Sequence, residues 1–335
     1  MDGAQIITLS DVSLGDLRKR YKRKQTLPPK AVLRQVPNFT RIRSDLDKPL
    51  LIYGSDNGLL ACRVRLKHPD LIQDLSASID ALPPKIKRYK FKGVKRSKYE
   101  ACHFGVWAPY SKESFITREH RDDGAKASQF FETNKRLFKH MSAVLGGLAP
   151  GVFKEMELYP VGKSLPPRFC GAWTACVINH GGQFKDPEET QIHRDVSESQ
   201  YGYSCVVCCG EFSGGAVVLH DLKHVIEMEA GDMLLFPDSI LHHCNEAATG
   251  VRKSVVAFTQ ENMYDYWRRE YRMLSKKRIR KELQQENAKV AKKLLAIMKQ
   301  MEKENEKAQR KKKDRRIEAR KRKKRTEVTD QSARS

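Results

Sequence analysis

The sequence lacks several features that mark large protein classes. It has no run of about 18 apolar residues, so we expect no membrane-spanning helix. No G-x-G-x-x-G opens a helical pattern, which disfavours a dinucleotide-binding fold. The first ten residues carry neither a basic flank nor a long apolar core, so we expect no secretory signal. We therefore expect the eight cysteines to be reduced thiols in a cytosolic or nuclear protein.

A second C-x-x-C is also missing. The existing one, Cys205-Val206-Val207-Cys208, continues into Cys209 and lies inside an apolar, strand-like run. A structural zinc site usually draws four Cys or His ligands from two such pairs. We interpret these cysteines as small core residues, and a zinc site is disfavoured.

Positive charge is abundant and unevenly placed. The chain has a formal net charge of +23, and residues 268–325 contain 26 Lys and Arg against 8 Asp and Glu. Such a segment favours polyanions, with nucleic acid, and DNA above all, as the expected partner. We divide the chain into a basic N-terminal arm (1–45), a domain (46–267) with its core at 172–260, and a basic tail (268–335).

The tail has a weak heptad pattern. Leu283, Val290 and Ile297 recur every seven residues, which predicts a long basic helix that could self-associate as a coiled coil. Basic clusters at 311–313 and 321–325 are typical of nuclear localisation signals or nucleic-acid contacts, so we expect a nuclear protein. A solvated helix without a DNA-binding role is the competing interpretation.

The front half alternates between hairpin and helix signals. Apolar runs at 51–53 and 59–64 flank a Gly-Ser-Asp-Asn-Gly turn and predict a hairpin. Leu71, Leu75, Ile79 and Leu82 predict a helix over 71–82. An amphipathic pattern predicts one further helix over 125–148, stopped by Gly146-Gly147.

From residue 172 the period changes to short strands separated by glycine and acidic turns. We predict eight strands, at 172–179, 190–194, 203–210, 215–222, 225–228, 233–237, 241–246 and 253–260. Even spacing of eight strands favours two facing four-stranded sheets. The predicted fold class is therefore α+β, a double-stranded β-helix (jelly roll) buttressed by helices, with a long basic C-terminal helix.

The His-Arg-Asp form of the H-x-D motif occurs twice. His193-Arg194-Asp195 lies at the end of a predicted strand, whereas His120-Arg121-Asp122 lies in a predicted polar loop before a helix. Residues two apart on a strand face the same side, as a shared metal ion requires. The first copy is therefore the better candidate for a metal site. A kinase catalytic loop is excluded because residues 196–199 do not continue it.

The third ligand must come from a strand that folds back onto the first. His220, His224, His242 and His243 are candidates, and we choose His243 because Arg252 follows nine residues later. His242 should then face the opposite side. Two His and one carboxylate indicate a non-haem Fe(II) site with open positions. A guanidinium at Arg252 would bind the far carboxylate of a 2-oxo acid, assisted by the hydroxyl of Ser254.

These motifs carry a family resemblance. Residues 171–266 resemble 2-oxoglutarate/Fe(II) oxygenases, and more narrowly the TET/J-binding-protein group in its fungal, transposon-associated branch. The likeness is carried by residues 193–195, 214–222, 240–245 and 252–254, with 103–107 upstream. It implies Fe(II) and 2-oxoglutarate as cofactors, a site of His193, Asp195, His243, Arg252 and Ser254, and oxidation of 5-methylpyrimidines in DNA. Asn179, at the end of the first core strand, is our candidate for base contact.

Two other functions stay open at this point. The spacing between His243 and Arg252 also suits an oxygenase that hydroxylates a protein side chain, as prolyl hydroxylases do. A nucleic-acid-binding protein with an inactive jelly roll is the non-enzymatic alternative. The intact set of His193, Asp195, His243 and Arg252 argues against an inactive domain.

Overall fold

A computed structural model describes residues 4–21, 38–45, 48–82, 86–87, 90–91, 94–95, 99–108, 114–157, 169–181 and 192–264. The chain divides into two units, Met1–Arg268 and Arg269–Ser335, and the second lies entirely outside the described residues. The predictions for the coiled coil, the basic C-terminal helix and the localisation clusters therefore also lie outside them. No helix in the described ranges is long and apolar enough to cross a membrane.

The helices of the described residues precede most of the core strands. They are α1 Leu14–Arg20, α2 Pro69–Asp80, α3 Arg118–Asp122, α4 Gly124–Thr133, α5 Lys135–Leu148 and α6 Pro150–Glu157. The hairpin and α2 predictions are confirmed. In α2 the side chains of Leu71, Leu75 and Ile79 are buried, as their helical spacing predicts.

The strands span most of the described chain. In order they are β1 Gln5–Thr8, β2 Thr40–Ile42, β3 Leu50–Tyr53, β4 Leu59–Arg65, β5 Ile86–Lys87, β6 Lys90–Phe91, β7 Val94–Lys95, β8 Tyr99–Trp107, β9 Phe115–Ile116, β10 Ala175–Asn179, β11 Ser204–Cys209, β12 Phe212–Gly214, β13 Val217–Leu219, β14 His224–Ile226, β15 Asp232–Phe236, β16 His243–Asn245, β17 Ala248–Gly250 and β18 Lys253–Phe258.

Two sheets form the core of an α+β fold. The large sheet has the order β1-β3-β4-β15-β11-β18-β10-β8-β5, with β9 paired to β8, and the small sheet has the order β16-β13-β14-β2. A short ribbon of β12 and β17 extends beside them. The large sheet is therefore wider than the four strands predicted, because strands from the front half of the chain join it.

Two apolar clusters lie on opposite faces of the large sheet. One packs the sheet against α2, α4, α5 and α6, and it includes Leu75, Phe138 and Val255. The other fills the space between the two sheets, where Leu234 and Phe236 of β15 meet Leu219 of β13. Alternation of side chains along each strand supplies both clusters from the same sheet.

The segment predicted as an N-terminal arm contributes to this fold. Strand β1 pairs in parallel with β3, and β2 pairs in parallel with β14. Leu14 and Leu17 of α1 are buried in the cluster between the sheets. The Asp56 carboxylate accepts hydrogen bonds from the backbone N–H groups of Leu14 and Gly15 (3.1 and 2.8 Å). The described residues of this segment therefore belong to the folded domain.

The single helix predicted over 125–148 is wrong. It is divided at Asn134 into α4 and α5. The Asn134 amide donates to the carbonyl of Phe130 (2.8 Å) and to the hydroxyl of Ser78 (2.8 Å), and such local bonds compete with continuous helix. The predicted end at residue 148 is confirmed, and α5 runs through Gly146-Gly147 to reach it. A Cβ at Gly146 would lie 3.2 Å from the Phe153 ring of α6, so the glycine makes room for that helix.

Two strand predictions need correction, and two strands were not predicted. Only 192–194 of the strand predicted at 190–194 is described, and it forms a single bridge at His193. The strand predicted at 215–222 shortens to β13 and ends in a 3-10 turn at His220–Leu222. The strands β12 and β17 were not predicted. Their residues occupy the turns on either side of the predicted strands, where sequence alternation is too short to detect.

Candidate active site

Backbone pairing brings the two ligand-bearing segments together. The N–H of His193 donates to the carbonyl of His243 (3.0 Å), and the N–H of His243 donates back to the carbonyl of His193 (2.9 Å). Their imidazole centroids are 4.4 Å apart. The N–H of Asp195 donates to the carbonyl of Asp238 (3.1 Å), which fixes the other end of the H-x-D segment.

The side chains of His193, Asp195 and His243 converge. Asp195 Oδ1 lies 3.9 Å from His193 Nε2, and Asp195 Oδ2 lies 3.7 Å from His243 Nε2. One donor atom from each residue lies within 4.8 Å of the other two, and the described residues contain no other such group. Two imidazole nitrogens and one carboxylate oxygen are the donor set of non-haem Fe(II) oxygenases. The structure therefore brings together the three residues chosen from the sequence.

The tautomer of His243 suits metal binding. Its Nδ1 lies 2.9 Å from the carbonyl oxygen of Leu241, so Nδ1 must carry the hydrogen. The lone pair then lies on Nε2, which faces Asp195. Burial, together with the neighbouring His193, lowers the pKa of His243 to about 4. A neutral imidazole with a fixed N–H is the form that binds a metal ion.

Two acids that the sequence did not single out lie behind Asp195. Glu198 and Asp238 are both buried. Burial, followed by the charges of neighbouring carboxylates, raises the pKa of each side chain well above its ordinary value. Burial therefore favours the protonated, neutral form of both side chains. No short motif distinguishes them, because their burial depends on contacts distant in the chain.

Arg252, Ser254 and Asn179 lie on the face of the large sheet that looks toward the small sheet. Lys253 donates to Ser76 of α2 (3.0 Å), so it faces the helices, and its neighbour Ser254 faces the other way. The Asn179 amide donates to Ser254 Oγ (3.0 Å). Arg252 Nη2 donates to Cys208 Sγ (3.1 Å).

The guanidinium of Arg252 is closely surrounded. A Cβ at Gly215 would lie 2.7 Å from Arg252 Cδ, so only glycine fits there. Gly215 also has a φ of 67°, in the left-handed region that glycine tolerates. Arg252 Nε is buried and has no hydrogen-bond partner among the described residues. Since a buried donor without a partner is costly, it indicates a site that an acceptor group would complete.

The other histidine candidates have structural partners. His242 is buried, and its Nδ1 donates to Asp221 Oδ2 (3.0 Å), so it faces away from the triad. His220 Nε2 lies 3.5 Å from Cys244 Sγ. His120 lies in α3 and not in a polar loop, which corrects that prediction. Its Nδ1 accepts from the N–H of Gly105 (3.1 Å), so the second H-x-D has a packing role.

Comparisons with known proteins give partial matches. A family model described as an AraC-like ligand binding domain matches residues 212–319, less than half of the chain. A PKHD-type hydroxylase from Caulobacter vibrioides is 32% identical over 97 residues, covering 27% of this chain and 43% of the hydroxylase. The chain thus spans less than half the length of this curated relative.

Similar solved structures include 2OG-Fe(II) oxygenases. One is NgTET1 in complex with 5mC DNA, with a TM-score of 0.48 and 13% identity, covering 71% of this chain and 92% of that chain. Another is an oxidoreductase of the 2OG-Fe(II) oxygenase family from Burkholderia pseudomallei, with a TM-score of 0.34 and 12% identity, covering 76% and 95%.

Proposed function

We propose that this protein is an Fe(II)/2-oxoglutarate-dependent dioxygenase that oxidises a methylated base, such as 5-methylcytosine, in DNA. The observation that carries the oxygenase chemistry is the convergence of His193, Asp195 and His243, whose donor atoms lie within 4.8 Å of one another. Within this class of enzymes, we propose that the protein belongs to the fungal, transposon-associated branch of the TET/J-binding-protein group.

Each residue of the site has a role in this proposal. His193 Nε2, His243 Nε2 and one oxygen of Asp195 would hold Fe(II), leaving the other coordination positions free. Arg252 would grip the far carboxylate of 2-oxoglutarate through its fork of N–H donors, and Ser254 would add a hydroxyl. Bound iron would supply the oxidising chemistry, in which one oxygen atom of O2 enters the substrate and the other enters succinate as 2-oxoglutarate loses carbon dioxide.

An apolar surface accompanies these groups. Val177, Val256 and Val206 lie side by side on β10, β18 and β11, one row from the row of Asn179, Ser254 and Cys208. All three valines are half-buried. They would line the substrate side of the pocket and exclude water from the reacting groups. In this arrangement Asn179, at the end of its row, is the candidate for contact with the base.

The positive charge of the tail and the resemblance of the motifs to the TET/J-binding-protein group favour DNA as the substrate. Residues 268–325 have a net charge of +18, and a segment of that kind binds phosphate backbones by counterion release. The same segment contains the basic clusters from which we propose a nuclear location. Neither feature selects a particular base.

A second candidate is hydroxylation of a protein side chain, which the nine-residue spacing of His243 and Arg252 also suits. The 32% identity to a PKHD-type hydroxylase supports hydroxylation as the chemistry. Succinate release from 2-oxoglutarate separates the two when measured with methylated DNA, unmethylated DNA and a lysate peptide pool. Stimulation by methylated DNA alone supports the first candidate, and stimulation by peptides alone supports the second. DNA binding without succinate release in any arm would indicate an inactive oxygenase domain.

A further inference from the structure

The ring of Tyr21 lies between the two segments that carry the proposed metal ligands. Tyr21 follows the last residue of α1, and its N–H donates to the carbonyl of Leu17 (2.9 Å). The guanidinium carbon of Arg194 lies 4.4 Å from the centroid of the Tyr21 ring, within cation–π range. On another side the His242 ring meets it edge-on, with centroids 4.9 Å apart.

Asp221 completes this contact. The Tyr21 hydroxyl donates to Asp221 Oδ1 (2.7 Å). The other carboxylate oxygen accepts from His242 twice, from the backbone N–H (2.6 Å) and from Nδ1 (3.0 Å). Both oxygens of Asp221 are therefore used, one toward α1 and the other toward the segment that enters β16.

The residues that Tyr21 touches are the chain neighbours of the triad. Arg194 lies between His193 and Asp195, and it also donates to the carbonyl of Ser239 (3.0 Å). His242 directly precedes His243. Within the described residues, the two ligand-bearing segments are also joined by the backbone pairing of His193 with His243, by the bond from the Asp195 N–H to the carbonyl of Asp238, and by the bond from Arg194 to Ser239.

The end of α1 is itself fastened to the chain that follows the H-x-D motif. Gln200 Nε2 donates to the carbonyl of Tyr21 (2.6 Å), and Arg18 Nε donates to the carbonyl of Gln200 (3.0 Å). These bonds leave little freedom for the Tyr21 ring to leave its position. Groups that support metal ligands from behind fix the orientation of those ligands and so set metal affinity.

We propose that Tyr21 and Asp221 are positioning residues for the metal centre, which clasp Arg194 and His242 and thereby hold the H-x-D segment and His243 at the spacing that one ion requires. This inference rests on the proposed function, since it assumes that the triad binds a metal. It gives the N-terminal segment a direct part in the site, although the segment contributes no ligand.

Calorimetric titration of the full-length protein with Co(II) tests the proposal. Tyr21→Leu removes the ring and the hydroxyl, and we expect it to weaken Co(II) binding by roughly 10- to 100-fold, the usual cost of removing a supporting group. Tyr21→Phe keeps the ring between Arg194 and His242, so it should restore most of the affinity. The visible absorption spectrum of bound Co(II) should change in Tyr21→Leu, because that spectrum reports ligand geometry.

Two further variants keep the test decisive. Ile79→Ala opens a cavity among the helices on the far side of the large sheet, so it lowers stability without changing the contacts of Tyr21 and Asp221. Its Co(II) affinity should therefore equal that of wild type. Asp221→Asn keeps the size of the side chain but weakens both sets of bonds, and it should bind Co(II) several-fold more weakly even if Tyr21→Leu fails to fold.

The outcomes separate this inference from the proposed function. If wild type binds no Co(II), the metal centre itself is wrong. The other outcome is that wild type binds Co(II) with the same affinity as Asp221→Asn and as Tyr21→Leu, where the latter folds. In that case the metal centre stands, and the positioning role of Tyr21 and Asp221 is overturned.

Discussion

His193 and His243 exchange two backbone hydrogen bonds, of 3.0 and 2.9 Å, although they lie 50 positions apart in the sequence. This pairing sets their rings 4.4 Å apart and leaves Asp195, two residues after His193, between their Nε2 atoms. The geometry of the site thus depends on a backbone bridge as much as on the three side chains.

Loss of a triad ligand should abolish metal binding. His193→Ala and Asp195→Ala each remove one of three ligands, so the Co(II) or Mn(II) affinity should fall by more than the ~100-fold typical of losing a supporting hydrogen bond. Circular dichroism should show that both variants remain folded. The matched control is His120→Ala in the other H-x-D, which should bind metal as wild type does, and equal affinities across all three variants would contradict the triad.

The choice between adjacent histidines is testable in the same way. His243→Ala should lose metal binding, whereas His242→Ala should keep it with a loss of roughly 10- to 100-fold, since His242 supports the site without binding the ion. Calorimetric titration with Co(II) measures both. The reverse order would mean that the register of this segment is displaced by one residue, which exchanges the faces of the strand.

Arg252→Lys should weaken binding of 2-oxoglutarate. Lysine keeps the charge but loses the planar fork, and losing one hydrogen bond to a charged group costs about 1.5–3 kcal/mol, or roughly 10- to 100-fold in affinity. Titration of the Co(II)-loaded protein with 2-oxoglutarate measures this. Arg136→Lys, on the exposed side of α5, is the control and should change nothing. An unchanged affinity in Arg252→Lys would place the clamp elsewhere.

Glu198→Gln should stabilise the metal-free protein at neutral pH. The pKa of Glu198 is raised above its ordinary value of 4.5 by burial and by nearby carboxylates. Above that pH the unfolded chain releases a proton that the folded chain retains, so wild-type stability falls as pH rises. Glutamine mimics the neutral acid and removes this loss. The stability difference should grow by up to about 1.4 kcal/mol per pH unit from near pH 4.5 until the raised pKa of the folded protein is reached.

Urea unfolding of both proteins in the presence of a chelator, between pH 4 and pH 8, measures that difference. Near pH 4 the free energies of unfolding of the two proteins should nearly coincide, because Glu198 is then largely protonated in both the folded and the unfolded wild type. A difference that is constant across this range would show that Glu198 is already ionised in the folded protein.

The basic tail should bind duplex DNA without regard to sequence. Residues 268–325 have a net charge of +18, so each neutralised phosphate releases a counterion and log affinity should fall linearly with log salt. A chain ending at Trp267 should bind DNA more weakly and with a shallower salt slope, but should still turn over 2-oxoglutarate. Identical DNA affinities and salt slopes for the full-length and the shortened protein would rule out DNA binding by the tail. A change in oligomeric state alone would favour the coiled coil.

Much of the fold follows from local patterns in the sequence. Alternation predicts β18, whose Lys253 faces α2 while Ser254 faces the small sheet. The apolar stripe of α2 is also predictable from the sequence. The break between α4 and α5 is not, because it depends on an amide of Asn134 that bonds to Ser78 of another helix.

The candidate site likewise contains some residues that the sequence predicts and others that it does not. The side chains of His193 and Asp195 converge as their spacing predicts, even though the structure has only a single bridge where a strand was expected. Tyr21 and Asp221 carry no motif, and they are brought together across most of the described chain by tertiary packing. Glu198 and Asp238 are likewise ordinary acids until burial changes their protonation.

The most direct test of the oxygenase proposal is succinate formation from 2-oxoglutarate by wild type and by Asp195→Ala, each supplied with Fe(II), oxygen and methylated duplex DNA. We predict succinate from wild type, in an amount that depends on added Fe(II), and none above background from Asp195→Ala. Equal succinate from the two proteins, or none from metal-loaded wild type with either DNA or lysate peptides, would contradict the proposal.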